Sequence, residues 1–324
     1  MKRLYPIAVK RGATIGVVSP SGPVRDERQF DKGVQILRAR GYEVKLAPRA
    51  LSRTFHMSAF GAEKAEDLNT MFADPQIAAI FPSVGGHTAN QVLEHLDYDI
   101  IARNPKILVG FSDNSVLLNA IYARTGLVSI HDCADIMFGV GRFGDERLST
   151  RGEYTARYLF SAIENAKPLG TIEPLTDWQC LRVGTGGGIA LGGNLSTLRA
   201  LIGSPFEPAW DGAVLFLEDS AEPHQWDQQL GHLRLTSVLS RVSAVVVGKV
   251  ENKPEQFYKE NYQPIPEIIA RHCMGYDYPI LYGADFGHDV ENFAIPIGVR
   301  VQVSGLARTV TFTESATRLA EAST

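Results

Sequence analysis

The chain has 324 residues, 44% hydrophobic and 21% charged, the proportions of an ordinary globular protein; they exclude a disordered, fibrous or collagen-like chain. Its 32 Lys and Arg against 36 Asp and Glu leave a formal charge of −4, without the basic excess that binding a nucleic-acid polymer demands. The longest apolar runs, such as 77–81 and 244–247, are strand-sized and too short to span a bilayer. The basic start Met1-Lys2-Arg3 is not followed by the apolar stretch of a signal peptide, so a cytoplasmic protein is expected. Cys133, Cys180 and Cys273 form no C-x-x-C pair, which fits neither a disulfide framework nor a zinc ribbon; they read as small buried hydrophobes.

At this length two domains, or one large α/β unit, are expected. The first half alternates short β-rich runs with amphipathic stretches. The pattern predicts strands at 13–18, 44–46, 77–81, 107–109 and 127–130, with helices over 26–40, 62–72, 92–101 and 115–123 between them. Such alternation implies a mainly parallel sheet covered on both faces. Periodicity weakens from about 152 to 184, which places a junction at 161–184 between an N-terminal domain (1–160) and a C-terminal α/β domain (185–324). The second half predicts a helix after Gly193-Asn194, strands at 213–217, 242–247 and 279–282, and helices over 227–239 and 267–271. Residues 299–303 and 309–313 alternate like antiparallel strands joined through Gly305, and the tail from Ser315 reads as frayed.

The most informative local element is Gly110-Phe111-Ser112-Asp113-Asn114, in which a buried strand runs through G-x-S-D straight into a helix. A serine there is thrust out at the carboxyl edge of the sheet, over a helix N-terminus, where open α/β folds place ligands. The motif partly matches the nucleophile elbow of α/β-hydrolases, with Asn114 where glycine is usual. The competing reading is that Ser112 or Asp113 is a helix N-cap. A serine nucleophile needs a base, and the base needs an orienting group. Among the eight histidines, His288 sits in a glycine-flanked loop after a predicted strand, while His95, His232 and His272 fall in helical patterns and His87 and His131 are held in reserve. Glu218 and Asp219 end an apolar strand and are candidate orienters, against the ordinary reading of a strand-end acid as a turn former. Gly85-Gly86 offers close backbone approach for an oxyanion hole, with the Asp113 amide as second donor, or else forms a plain turn.

The glycine clusters at 184–188 and 192–193 resemble phosphate loops at first sight but contain neither G-x-x-x-x-G-K-[ST] nor a G-x-G-x-x-G after the opening strand. NTPase and dinucleotide readings are therefore weak. No H-E-x-x-H and no clustered His/Cys set is present, so neither a catalytic metal nor another cofactor is expected.

Together these residues resemble the serine carboxypeptidase family that includes murein LD-carboxypeptidases and microcin C self-immunity peptidases. The resemblance runs over nearly the whole chain, through Ser19-Pro20-Ser21-Gly22, Gly85-Gly86 with Asn90-Gln91, Asp97-Tyr98-Asp99, Gly110 to Asp113, Gly192 to Leu195, Leu217-Glu218-Asp219, Gly287-His288 and Pro296-Ile297-Gly298. It implies a Rossmann-like N-terminal domain carrying the nucleophile, a C-terminal α/β domain, an active site at their interface, and a homodimer. By motif it implies a triad of Ser112, Glu218 and His288 and an oxyanion hole at Gly85, Gly86 and Asp113.

Val84 stands where LD-carboxypeptidases usually carry arginine, and the run from Gly85 to Asp113 is similar to the microcin-immunity branch. The expected substrate is therefore a small peptidyl-nucleotide, with a murein tetrapeptide as the alternative. Trp178 is a candidate for stacking on a nucleobase, core packing being its other reading. Asn194 is a further substrate-contact candidate, as is Glu222, which stands where the immunity branch has lysine nearby. The rival readings are a non-catalytic small-molecule binding protein on a related scaffold and an NAD-linked enzyme.

Overall fold

The computed structural model describes residues 2–132, 149–250, 262–288 and 291–320. Strands β1 (Thr14–Val18), β2 (Glu43–Leu46), β3 (Ile77–Pro82), β4 (Ile107–Gly110) and β5 (Ser129–His131) are parallel and lie in the order β5-β4-β3-β1-β2. Helix α1 (Glu27–Ala39) begins where Asp26 accepts from the amides of Arg28 and Gln29, and it buries Phe30, Val34 and Leu37 at helical spacing. Helix α2 (Gly61–Ala73) likewise buries Leu68, Met71 and Phe72. The predicted single helix over 92–101 is instead a 3-10 turn, Ala89–His95, followed by helix α3 (Tyr98–Arg103). Leu96 is extended between them, and the Asp97 side chain caps α3 by accepting from the Ile100 amide. Helix α4 (Ser115–Thr125) ends at Gly126, whose φ of 79° is left-handed as a C-cap requires. α4 is apolar and buried along most of its length because it packs against both halves of the molecule.

The second sheet has eight strands. In chain order they are β6 (Pro168–Thr171), β7 (Gln179–Arg182), β8 (Thr185–Asn194), β9 (Val214–Glu218), β10 (Ala244–Gly248) and β11 (Ile280–Ala284). After β12 (Ile295–Ile297), which belongs elsewhere, come β13 (Arg300–Ser304) and β14 (Thr309–Ser315). Their spatial order is β6-β14-β13-β8-β9-β10-β11-β7, with β8 to β11 parallel and the flanking pairs antiparallel.

The glycine clusters that resembled phosphate loops are strand β8 itself. A Cβ added at Gly186, Gly188 or Gly192 would overlap the backbone carbonyl oxygen of Ser243, Gly212 or Phe216 respectively, so these glycines permit close backbone packing.

The structure differs from the sequence expectations in several further places. Residues 161–184 are not a plain junction: they complete helix Ser149–Glu164 and supply β6 and β7 to the second sheet. The C-terminal part does not stay in its own sheet either, since β12 pairs antiparallel with β5 and becomes an edge of the first sheet, a position that tolerates Pro296. The tail from Ser315 is held as far as it is described, with Ala316 and Thr317 buried and Arg318 bonded to Pro6 through the backbone. The predicted helix 227–239 is shifted to Pro223–Leu235 and followed by a separate turn, Val238–Arg241, because Ser237 takes a left-handed φ of 62°. Cys273 is buried as expected and Cys180 half-buried, while Cys133 lies outside the described residues.

Replacement of Gly188 by alanine is expected to destabilise the protein by several kcal/mol, about 3 or more, because the obstacle is backbone and cannot rotate away. Gly152, in helix Ser149–Glu164 with nothing near its Cβ position, is the control whose alanine variant should unfold at or above the wild-type midpoint. Urea unfolding of both variants checks this.

Candidate active site

The strands that feed the site end at the same place. β1, β3 and β4 of the first sheet and β8, β9 and β11 of the second all deliver their carboxyl ends to a cleft of about 990 Å³ between the sheets. Ligands of open parallel sheets bind at such ends. Its lining includes Gly22, Gly85, Gly86, Ser112, Asn194 and His288.

Ser112 follows β4 by two residues and opens a 3-10 turn, Ser112–Asn114, with a left-handed φ of 54°. A non-glycine residue there is strained, which is how a sharp strand-to-helix turn lifts a side chain off the sheet edge. The N-cap reading does not hold: Asn114 occupies the N-cap of α4, and Ser112 Oγ lies 3.1 Å from Nε2 of His288. Nδ1 of the same imidazole is 2.6 Å from Oε2 of Glu218, the last residue of β9. Three predicted residues, 176 and 70 positions apart along the chain, therefore form one hydrogen-bonded series.

Glu218 is fully buried. Burial works to raise its pKa, but the neighbouring His288, with smaller help from His131 and Asn194, more than offsets this, so the carboxyl is held below its ordinary range. An ionised carboxylate fixes the imidazole tautomer that leaves Nε2 free to accept a proton. Asp219, the other candidate orienter, turns away: it accepts from the amide and hydroxyl of Ser196. Burial, reinforced by the Glu218 charge, pushes its pKa up.

The His288 loop is fastened from both sides. Asn292 accepts from the Gly287 amide at 2.8 Å and donates to the Gly287 carbonyl at 3.1 Å. Asp285, at the foot of the loop, accepts from the Leu175 amide and from the Trp178 indole, at 2.7 and 2.8 Å. This corrects the expectation for Trp178. The ring is 1% exposed, packs on Phe293 and does not line the cleft, so its contribution is to hold the segment beneath His288. Glu222 is corrected too: it is the N-cap of helix Pro223–Leu235, its amide donating to Gln225 Oε1 at 2.8 Å, and on this segment the cleft lining runs only as far as Ser220. Asn194 does line the cleft, and it caps helix Leu195–Leu198 through the Thr197 amide.

Gly85 stands so close to Ser112 that a Cβ on it would be 3.0 Å from the serine Cβ and 3.1 Å from Oγ. The Gly85 carbonyl accepts from the Gly22 amide at 3.0 Å, and because a trans peptide points N–H and C=O oppositely, the Gly86 N–H faces away from Gly22. A Cβ on Gly86 would overlap Ser21 and Gly22. Beneath this turn the buried Asp113 carboxylate accepts from the Ser21 hydroxyl and from the Ala89 amide. Lys64, also buried, donates to both oxygens of Thr88 at 2.9 Å, and burial pulls its pKa down to about 8 against the opposing pull of Asp113.

Sequence reasoning left several of these residues without a role. Ser21 and Gly22 appeared only within a motif. Ser115, the first residue of α4, and Asn119, about one turn further on, tie it to β8: Ser115 Oγ accepts from the Asn194 amide at 3.0 Å, while Asn119 donates to the Gly192 carbonyl at 2.7 Å and accepts from the Gly192 amide at 3.0 Å. An asparagine among apolar helix positions was the available signal. His131 is buried at the end of β5, and the Phe111 ring lies between it and His288, 5.2 and 4.8 Å from the two imidazoles. Burial lowers its pKa to about 4, outweighing the opposing effect of Glu218.

Two sequence profiles of one family match the chain. That of the LD-carboxypeptidase N-terminal domain covers residues 15–132, and that of the LD-carboxypeptidase C-terminal domain covers 187–303. The fold is thus that of a two-domain α/β peptidase class, and the chain belongs to the LD-carboxypeptidase family, peptidase family S66. It is 31% identical to the microcin C7 self-immunity protein MccF of Escherichia coli, over 95% of each chain. It is 25% identical to a murein tetrapeptide carboxypeptidase of Pseudomonas aeruginosa, over 90% of this chain and 93% of that one. A solved structure of MccF in complex with aspartyl sulfamoyl adenosine superposes with a TM-score of 0.86 at 27% identity, covering 97% of this chain and 99% of that one.

Because His131 is neutral when folded down to about pH 4 but takes up its proton near 6.5 when unfolded, the unfolded state binds more protons between those values. Stability should therefore fall as pH drops from about 6.5 to 4, and His131→Gln should flatten that slope. Chemical unfolding midpoints at pH 7, 5.5 and 4.5 measure it.

Proposed function

We propose that the protein is a serine carboxypeptidase-type amidohydrolase that cleaves the bond between an aspartyl residue and a nucleotide in microcin C-like peptidyl-adenylates. The supporting observation is the series Ser112 Oγ to His288 Nε2 at 3.1 Å and His288 Nδ1 to Glu218 Oε2 at 2.6 Å, open to the cleft at its serine end.

In this reading Ser112 attacks the scissile carbonyl carbon while His288 Nε2 takes the hydroxyl proton. Glu218 stabilises the imidazolium and holds its orientation. The Gly86 and Asp113 amides stabilise the oxyanion, with Gly85 admitting the substrate because it has no side chain. As the tetrahedral intermediate collapses, His288 gives the proton to the leaving nitrogen and an acyl-enzyme forms. Water then attacks the ester by the same relay and regenerates the serine. Similarity to MccF, 31% identity over 95% of each chain, together with Val84 beside the glycine pair, favours the peptidyl-nucleotide substrate. The similarity to a murein tetrapeptide carboxypeptidase makes that peptide the second substrate to assay. A cytoplasmic homodimer is the form that accompanies this reading.

Ser112→Ala, Glu218→Gln and His288→Ala should each lower kcat/KM on the preferred substrate by at least about a thousandfold, and the alanine at 112 should also abolish labelling by a fluorophosphonate. Chromatographic assay of both substrate types reads this, and a Ser112→Ala enzyme with undiminished turnover would overturn the mechanism. Gly85→Ala, which crowds Oγ, is expected to lower kcat about tenfold or more with little change in unfolding temperature.

A further inference from the structure

Helix α2 carries a charge where its burial pattern calls for an apolar residue. Lys64 is 2% exposed and shares the buried face of the helix with Leu68 and Met71, four and seven positions on. A lysine is rarely so deeply buried without something in the interior to balance it. Its ammonium donates to the main-chain and side-chain oxygens of Thr88, both at 2.9 Å. From Thr88 the bonds run in one direction. The Thr88 hydroxyl donates to the Ser21 carbonyl and its amide to Ser21 Oγ, both at 3.3 Å, and Ser21 Oγ in turn donates to the Asp113 carboxylate.

Asp113 is the reason a cation is needed. Its amide and that of Gly86 are the donors assigned above to the oxyanion, yet its own carboxylate lies one side chain away, bonded to the Ser21 hydroxyl that stands against Gly86. A fixed anion there opposes the negative charge that develops on the substrate oxygen, and burial strengthens the opposition. The segments packed on α2 carry other charges, Glu94 and His95 in the turn Ala89–His95 and Asp99 and Arg103 in α3, while β1 and β3 carry none. On α2 itself, Glu63, Glu66 and Asp67 are taken up by Arg49. Asp113 is the charge that acts on Lys64, raising a pKa that burial pulls down to about 8.

We propose that Lys64 is a positioning residue of the oxyanion hole, whose charge neutralises Asp113 beneath the two donor amides, so that the hole reaches full strength only while Lys64 is protonated. The inference rests on the hydrolase reading for the reaction that the hole serves. A neutral amine still has two N–H groups for the two Thr88 oxygens, so deprotonation removes the charge balance and leaves the fold in place. Turnover should therefore fall as pH rises through about 8. Stability should not fall with it. Unfolded Lys64 keeps its proton up to about 10.5, so between these values the unfolded state binds more protons and the Lys64 contribution to stability rises with pH.

The test measures kcat and KM against pH on an aspartyl-nucleotide and a murein tetrapeptide, and alongside them the rate at which a fluorophosphonate labels Ser112, since the probe's phosphoryl oxygen draws on the same hole. In wild type, kcat and the labelling rate should drop to about a tenth between pH 7 and about pH 9.5, with no lower unfolding midpoint. Lys64→Arg keeps its charge over that range and should remove the drop. Lys64→Met should already have lost about tenfold in kcat at pH 7, with KM near wild type and no alkaline drop. Adding Asp113→Asn to Lys64→Met takes away the uncompensated anion and should recover most of the rate, whereas a merely structural role would make the double variant worse than either single one. Full-rate Lys64→Met, or an alkaline drop of the same size and midpoint in Lys64→Arg as in wild type, would overturn the assignment. Failure of the hydrolase reading is recognised separately, by full turnover in Ser112→Ala.

Discussion

Everything at the site depends on the seam between α4 and β8. Ser112 is rigidly joined to α4, and Glu218 sits on β9, the strand next to β8, so the spacing between them is set by how helix meets strand. Asn119 satisfies both backbone groups of Gly192, and Ser115 takes the Asn194 amide. Gly193 allows the approach, since any Cβ there would overlap Ser115 and His131. Buried hydrogen bonds of this kind cost little when complete and a great deal when half made, which defines one arrangement of the two halves. The β12–β5 pairing secures the same relation from the other side by stitching a C-terminal strand into the first sheet.

That constraint explains how a neutral hydroxyl, an imidazole and a buried carboxylate coexist. Glu218 alone in a dry interior would protonate, and the imidazole beside it keeps it ionised. A second buried imidazole, His131, interacts with this carboxylate, and burial lowers its own pKa to about 4. Behind the glycine turn, Asp113 accepts from the Ala89 amide and the Ser21 hydroxyl, and Lys64 donates to both oxygens of Thr88, so these buried charges hold the shape of the turn.

Much of this was legible in the sequence because it rests on local rules. The alternation of strands and helices through residue 132 follows hydrophobic period, and the G-x-S-D junction announces a side chain at a sheet edge. Legibility failed where a residue serves something distant. The glycines of 185–194 look like a loop because sequence does not show that another backbone runs against them. Trp178 invites a stacking role until its indole is found bonded to Asp285, 107 positions away.

The sequence by itself determined the class of fold, the order in which chemical groups occur and the identity of the groups able to act as nucleophile, base and orienter, since these follow from residue type and short-range spacing. Only the tertiary structure shows His288 within hydrogen-bond reach of Ser112, Glu218 rather than Asp219 against the imidazole, and Trp178 turned into the core. Those choices turn on two sheets presenting their carboxyl ends to one another. That packing is governed by contacts between residues far apart in the chain, which no local pattern encodes.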